Sequence, residues 1–217
     1  MTNSTRIIAV RHGETAWNVD TRIQGHLDID LNEHGRWQAE RVAQALADED
    51  IAAIYASDLL RAHTTARAIA SKTQSPQARQ VLLHQGLRER GFGIFEGLTF
   101  AQIANDWPDE ARRWRLREPD FAPSGGESLL QLRERVAVAV QTLASQHTGQ
   151  QIVLVAHGGI MDALYRLATR QDISAPRTWE LGNAAINRLL WTVESLTLVG
   201  WADTRHLDDA TIDEISA

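Results

Sequence analysis

Ile7-Ile8-Ala9-Val10-Arg11-His12-Gly13 sets four apolar residues directly ahead of a guanidinium and an imidazole. The apolar run reads as a β-strand, and open α/β folds collect ligands where such strands end. The pattern returns far along the chain, where Ile152 to Ala156 is an unbroken apolar run with the character of a strand covered on both faces, and His157-Gly158 follow it. An imidazole can take a phosphoryl group covalently while neighbouring cations hold its oxygens. Two strand-end histidines therefore point to phosphate chemistry.

Outward from the first strand, a polar connection leads to a predicted helix over 32–47, with Trp37, Ala39, Val42, Ala43 and Leu46 as its apolar stripe. Residues 51–56 read as a strand, 60–71 as a helix opened by Ser57-Asp58, and 80–83 as a weaker strand before a glycine-punctuated loop over 86–97. Residues 99–117 turn helical behind a Thr99/Gln102 capping box, and Pro108 interrupts them, which predicts a small cap inserted at about 98–123. After a turn-rich linker over 119–126, residues 127–146 read as a long helix with Leu129, Leu132, Val136, Val140 and Leu143 at helical spacing, capped by Ser124 with Glu127. Residues 160–168 return to helix, and 184–192 and 196–201 read as two strands separated by a turn. The order predicts a three-layer α/β/α sandwich with a mostly parallel central sheet and a small helical cap: one domain over 1–203 and an acidic tail over 204–217.

At 217 residues the chain is long enough to bury a sizeable core. Its net charge of −6 argues against nonspecific nucleic-acid binding but leaves room for a local basic pocket. The absence of cysteine excludes disulfides, thiolate nucleophiles and cysteine metal sites. No long apolar leader precedes the first strand and no stretch approaches the roughly 20 apolar residues that span a bilayer, so the expectation is a cytoplasmic protein with no membrane partner. A homodimer is left open.

Four separated blocks together resemble the histidine phosphatase superfamily, in its phosphoglycerate-mutase-like branch, over nearly the whole chain. They are Arg11-His12-Gly13-Glu14-Thr15 with Asn18 and Gln24-Gly25; Ser57-Asp58-Leu59 with Arg61, Ala62 and Thr65-Ala66; Leu87-Arg88-Glu89 with Gly93 and Glu96-Gly97; and His157-Gly158-Gly159. The resemblance implies a histidine acid phosphatase-type phosphomonoesterase that acts on a small-molecule phosphate monoester through a phosphohistidine. It makes His12 the nucleophile, Arg11 and Arg61 the phosphate clamp, His157 a donor to an equatorial oxygen, and Glu89 the proton donor. A backbone carbonyl near Gly13 is the expected partner that sets the His12 tautomer. Asn18, Gln24, Gly25, Thr15 and Gly158 are the expected outer phosphate or substrate contacts, with Ser57 and Asn183 as further candidates.

Glu14 and Glu96 rival Glu89 as the acid. The remaining histidines lack a carboxylate cluster at metal-ligand spacing, so no metal and no cofactor are expected. Arg112, Arg113, Arg115 and Arg117 form a basic stretch that serves either substrate anions or solvent, and Trp107 and Trp114 are the cap aromatics placed to touch a substrate. The short interval between Glu89 and His157 lacks the extended insertion of the cofactor-dependent mutases, which favours hydrolysis. The alternatives are mutase-type phosphoryl transfer and a catalytically silent phospho-ligand-binding module.

Overall fold

In the computed structural model, which describes residues 4–208, six strands form one sheet: Thr5–Arg11 (β1), Ala53–Ala56 (β2), Val81–Leu83 (β3), Gln151–Ala156 (β4), Ile186–Trp191 (β5) and Leu196–Asp203 (β6). Their order is β3-β2-β4-β1-β5-β6, with the first four parallel and β5 and β6 antiparallel. The two apolar runs of the sequence are the central pair, β1 and β4, in the register Ile7↔Ile152 through Arg11↔Ala156.

Both faces of that pair are covered, which explains why neither strand alternates with polar residues. Ile7, Ala9, Ile152 and Leu154 face one core with Leu132, Val136 and Val140 of α6 (Leu129–Ala144) and Ile160 and Leu164 of α7 (Gly158–Thr169). Ile8, Val10, Val153 and Val155 face the other, with Val42 and Ala43 of the helix over Glu33–Ala45 and Ala62, Ala66 and Ile69 of the helix over Leu60–Lys72. At about 1.5–3 kcal/mol for each large side chain taken out of water, these two layers hold the strand ends rigidly in place.

In chain order the helices are α1 (Ala16–Val19), α2 (Glu33–Ala45), α3 (Leu60–Lys72), α4 (Phe100–Asp106), α5 (Pro108–Arg115), α6 and α7. The Thr99/Gln102 capping box opens α4, and Pro108 stands at the first position of α5, where its missing N–H costs nothing. The pair has its own apolar cluster, Phe95, Ile103, Ala111 and Phe121, packed with Phe92, Phe100, Trp107 and Trp114.

The start of α6 differs from the expected one. Ser128, boxed with Gln131, caps the helix, not Ser124 with Glu127. Residues 123–127 are held as a turn because Gly126 bridges Phe92, the Glu127 N–H donates to the Gly91 carbonyl, and the Glu127 carboxylate takes two donors from Arg135. The short α1 interrupts the expected polar connection, and α7 begins two residues earlier than predicted, directly behind His157. Residues 205–207 form a 3-10 turn whose His206 carbonyl accepts from Arg41 of α2; the rest of the acidic tail, 209–217, lies outside the described residues. Among the described residues no helix is long and apolar enough to cross a membrane.

Candidate active site

The β1–β4 register carries one residue past each strand end, so His12 and His157 emerge side by side with ring centroids 5.1 Å apart. The His12 N–H continues the ladder to the Ala156 carbonyl. Its Nδ1 lies 2.6 Å from the Gly13 carbonyl, which can only accept; Nδ1 therefore carries the proton and Nε2 keeps its lone pair. The His12 carbonyl is held from behind by Asn183 Nδ2 at 2.9 Å, and the Gly13 N–H donates to Thr65 Oγ1 at 3.1 Å. The ring is thus fixed in one tautomer and one orientation.

Both imidazoles are buried. Desolvation, followed by the charges of Arg61 and Arg11, holds His12 well below its usual range. For His157 the causes are burial, then Arg61, His12 and Arg11. Each ring is a neutral base, as an imidazole nucleophile needs to be.

Arg61, fully buried at the start of α3, donates through its two terminal nitrogens to the carbonyls of Leu27 (2.9 Å) and Gly25 (2.8 Å). Arg11 donates to the Leu181 carbonyl. In both, Nε is buried with no protein acceptor; both ring nitrogens of His157 are buried without a partner, and so is Gln24 Oε1, an acceptor that would take a donor from the substrate side. Orphaned buried polar groups cost about 1–3 kcal/mol each, and a tetrahedral oxyanion is the ligand that satisfies converging N–H donors. Burial lowers the pKa of both guanidinium groups while Glu89 opposes the shift.

Glu89 reaches this cluster from the loop behind β3. Its two carboxylate oxygens accept from the Gly159 N–H, in the first turn of α7, at 3.0 and 3.2 Å, and one also accepts from the Arg90 N–H at 2.8 Å. Gly158 lies between acid and clamp: a Cβ there would stand 3.6 Å from Arg11 Nε and 3.8 Å from Glu89 Oε2. At Gly159 a Cβ would fall 2.4 Å from Glu89 Oε1, so the carboxylate is seated where only glycine leaves room.

The rival carboxylates have other work. Glu96 Oε1 accepts the N–H groups of His26 and Phe92, and Glu14 Oε1 accepts from Asn32. Thr15 and Asn18 form the capping box of α1, which occupies the Thr15 hydroxyl and Asn18 Oδ1 and leaves the Asn18 amide nitrogen. Gly25 meets the site through its carbonyl, held by Arg61. Ser57 Oγ accepts from the Leu59 N–H.

A cleft of about 470 Å³ opens from Arg11, Gly158 and Gly159, walled by Phe92, Trp114 and Leu129 and edged by Arg117 and Arg177. Of the cap's basic stretch only Arg117 reaches it, and that side chain is committed to Asp162 (2.8 Å) and the Ile173 carbonyl. Arg113 pairs with Glu118, and Arg115 lies over Phe100. Trp114 lines the cleft, whereas Trp107 packs on Phe95. A larger open groove of about 840 Å³, beside His34 and Trp37, lies apart from this set and shares none of its residues. Among the described residues no three His, Asp or Glu side chains are grouped to hold a metal ion.

Several supports were not assigned roles from sequence. Buried Arg90, which desolvation lowers to about 10, ties the acid loop to the carbonyls of Glu127 and Phe121. Arg135 grips the carbonyls of Gly86 and Arg88 at 2.9 Å each. Thr65 and His26 likewise act on backbone atoms, and no sequence spacing signals those contacts; Asn183, a candidate outer contact, donates to the His12 carbonyl.

The profile of the histidine phosphatase superfamily (branch 1) matches residues 7–204. Over 206 residues, covering 94% of this chain and 87% of the relative, the chain is 39% identical to phosphoglycerate mutase-like protein 4 of Arabidopsis thaliana. It is 36% identical over 205 residues to the metal-independent phosphoserine phosphatase of the same plant, covering 94% of this chain and 83% of that one. The crystal structure of a phosphoserine phosphatase from Entamoeba histolytica, in complex with 3-phosphoglyceric acid, superimposes with a TM-score of 0.81 at 30% identity, covering 94% of this chain and 99% of that one.

Proposed function

Because the chain belongs to the histidine phosphatase superfamily, branch 1, and is a phosphatase-type hydrolase of small phosphate monoesters, we propose that its chemistry runs without a metal ion, through a phosphohistidine on His12. The observation that carries this reading is the neutral, tautomer-fixed His12 ring, its Nε2 free, beside the buried Nε donors of Arg11 and Arg61 and the ring of His157.

In the first step His12 Nε2 attacks phosphorus and the bond to the ester oxygen breaks. Glu89, as the carboxylic acid, gives its proton to that oxygen and the alcohol departs. The Nδ1–H bond to the Gly13 carbonyl disperses the charge that develops on the ring. Arg11, Arg61 and His157 meet the charge on the equatorial oxygens. In the second step water attacks the phosphohistidine, the Glu89 carboxylate takes its proton, and inorganic phosphate leaves with His12 and Glu89 restored.

The assignment to the histidine acid phosphatase type is supported by His12 itself, since an imidazole held well below 6.5 stays nucleophilic in mildly acidic solution. The cleft beside Arg11 is the proposed seat of the alcohol half, with Trp114 and Phe92 as its wall. Relatives named for phosphoserine and glucosyl-3-phosphoglycerate make phosphorylated three-carbon acids the first compounds to try.

The test is phosphate release from a panel of monoesters in the presence of a chelator, for the parent and His12→Ala. Turnover that is lost in the variant, with an acid-labile, alkali-stable phosphoryl label trapped on the parent, is the expected result. No phosphate release, combined with transfer of the label to a three-carbon acceptor, would replace hydrolysis by mutase chemistry. Phosphate binding without any labelling would reduce the protein to a binding module.

A further inference from the structure

His26 lies on the exposed loop whose two flanking carbonyls, Gly25 and Leu27, are the ones gripped by Arg61. Its Nε2 stands 2.8 Å from the backbone carbonyl of Glu89. A carbonyl only accepts, so Nε2 carries a proton whether the ring is neutral or cationic. The His26 N–H donates at 3.0 Å to Glu96 Oε1, which also takes the Phe92 N–H at 2.9 Å. Residue 26 is therefore tied at two points to the segment that presents the acid.

The other supports of that segment act elsewhere. Arg135 places its short contacts on Gly86 and Arg88 and reaches the Glu89 carbonyl only at 3.3 Å. Gly159 and Arg90 hold the carboxylate end. The short contact on the main chain of residue 89 itself is the one from His26, and it runs directly to the loop that the phosphate clamp holds.

We infer that His26 is a positioning residue: by joining the loop gripped by Arg61 to the carbonyl of Glu89, it sets the distance between the clamped phosphoryl group and the acid that protonates the departing oxygen. This rests on the reading of Glu89 as proton donor. The consequence is selective. An alkyl alcohol needs the proton in order to leave, whereas p-nitrophenolate departs largely without one, so a misplaced acid slows alkyl esters far more than aryl ones. A damaged clamp or a loosened fold would slow both together.

The experiment compares kcat/KM for glycerol 2-phosphate and p-nitrophenyl phosphate in the parent, His26→Ala, His26→Gln and Glu89→Gln. His26→Ala is expected to lose roughly tenfold on the alkyl ester, a fraction of the 10²–10⁴ that general acid catalysis supplies, and no more than about twofold on the aryl ester. His26→Gln, whose amide N–H reaches the same carbonyl, is expected to recover most of the alkyl activity. Equal losses on the two esters, or no alkyl loss, in His26→Ala while Glu89→Gln keeps its alkyl bias would overturn the inference alone. An unbiased Glu89→Gln would remove the donor reading and the inference with it.

Discussion

His12 and His157 remain neutral because burial and two arginines make a third positive charge unfavourable, and that places a cost on the fold in acid. In the unfolded chain both imidazoles take up protons as pH falls through about 6.5, while in the folded protein without a bound oxyanion they do not. Protons therefore favour the unfolded state. The stability is complete above about 6.5 and is lost below it, at up to about 1.4 kcal/mol per pH unit for each ring. The melting temperature of the parent should fall between pH 6.5 and 5, and His157→Gln, with one titrating ring fewer, should show a shallower slope. Inorganic phosphate should flatten the parent's curve, since an anion beside the rings restores their affinity for protons. Identical slopes for parent and variant would mean that His157 takes up its proton in the folded state.

Among the elements, α2 bears most closely on the nucleophile. Its first turn crosses the loop behind β1 so tightly that a Cβ on Gly35 would lie 2.0 Å from the Glu14 carbonyl, and one on Gly13 would lie 2.3 Å from that of Gly35. Alanine at position 35 would gain about 1 kcal/mol of helix propensity. The collision is with backbone, which cannot rotate away, and overpacking of this kind costs about 1–3 kcal/mol. The steric effect wins: Gly35→Ala should lower both the melting temperature and kcat, and a stabilised, fully active variant would refute the crossing. The elements legible in the sequence were those with one dominant signal, such as β1 and β4 with their unbroken apolar runs and α4 with its box and Pro108. The start of α6 was not, because Ser124/Glu127 and Ser128/Gln131 present the same spacing, and the choice between them lies in contacts with Gly91, Phe92 and Arg135. The same division runs through the candidate site. The residues of the four blocks could be read as a set, while Arg90, Arg135 and His26 act on carbonyls or loops whose positions exist only once the chain has folded.

For the molecule as a whole, a net charge of −6 surrounds a site built on arginines. A dianionic ester is repelled by the overall charge at long range and drawn in by Arg11, Arg61 and Arg177 at short range. Salt screens exposed charges over about 10 Å at 0.1 M. Focusing in the cleft should outweigh the distant field, so kcat/KM for a phosphate monoester should fall by a factor of a few as ionic strength rises from about 20 to 300 mM. A rise would mean that the overall charge governs approach. The sheet order also constrains how the protein comes into being. β4 pairs with β1 on one side and β2 on the other, so the strands that present His12 and Arg61 have no common neighbour until a segment made late in synthesis slides between them. A growing chain on the ribosome consequently carries the nucleophile for most of its synthesis without a working site around it. A phosphate monoester then meets either an inert nascent chain or a finished hydrolase.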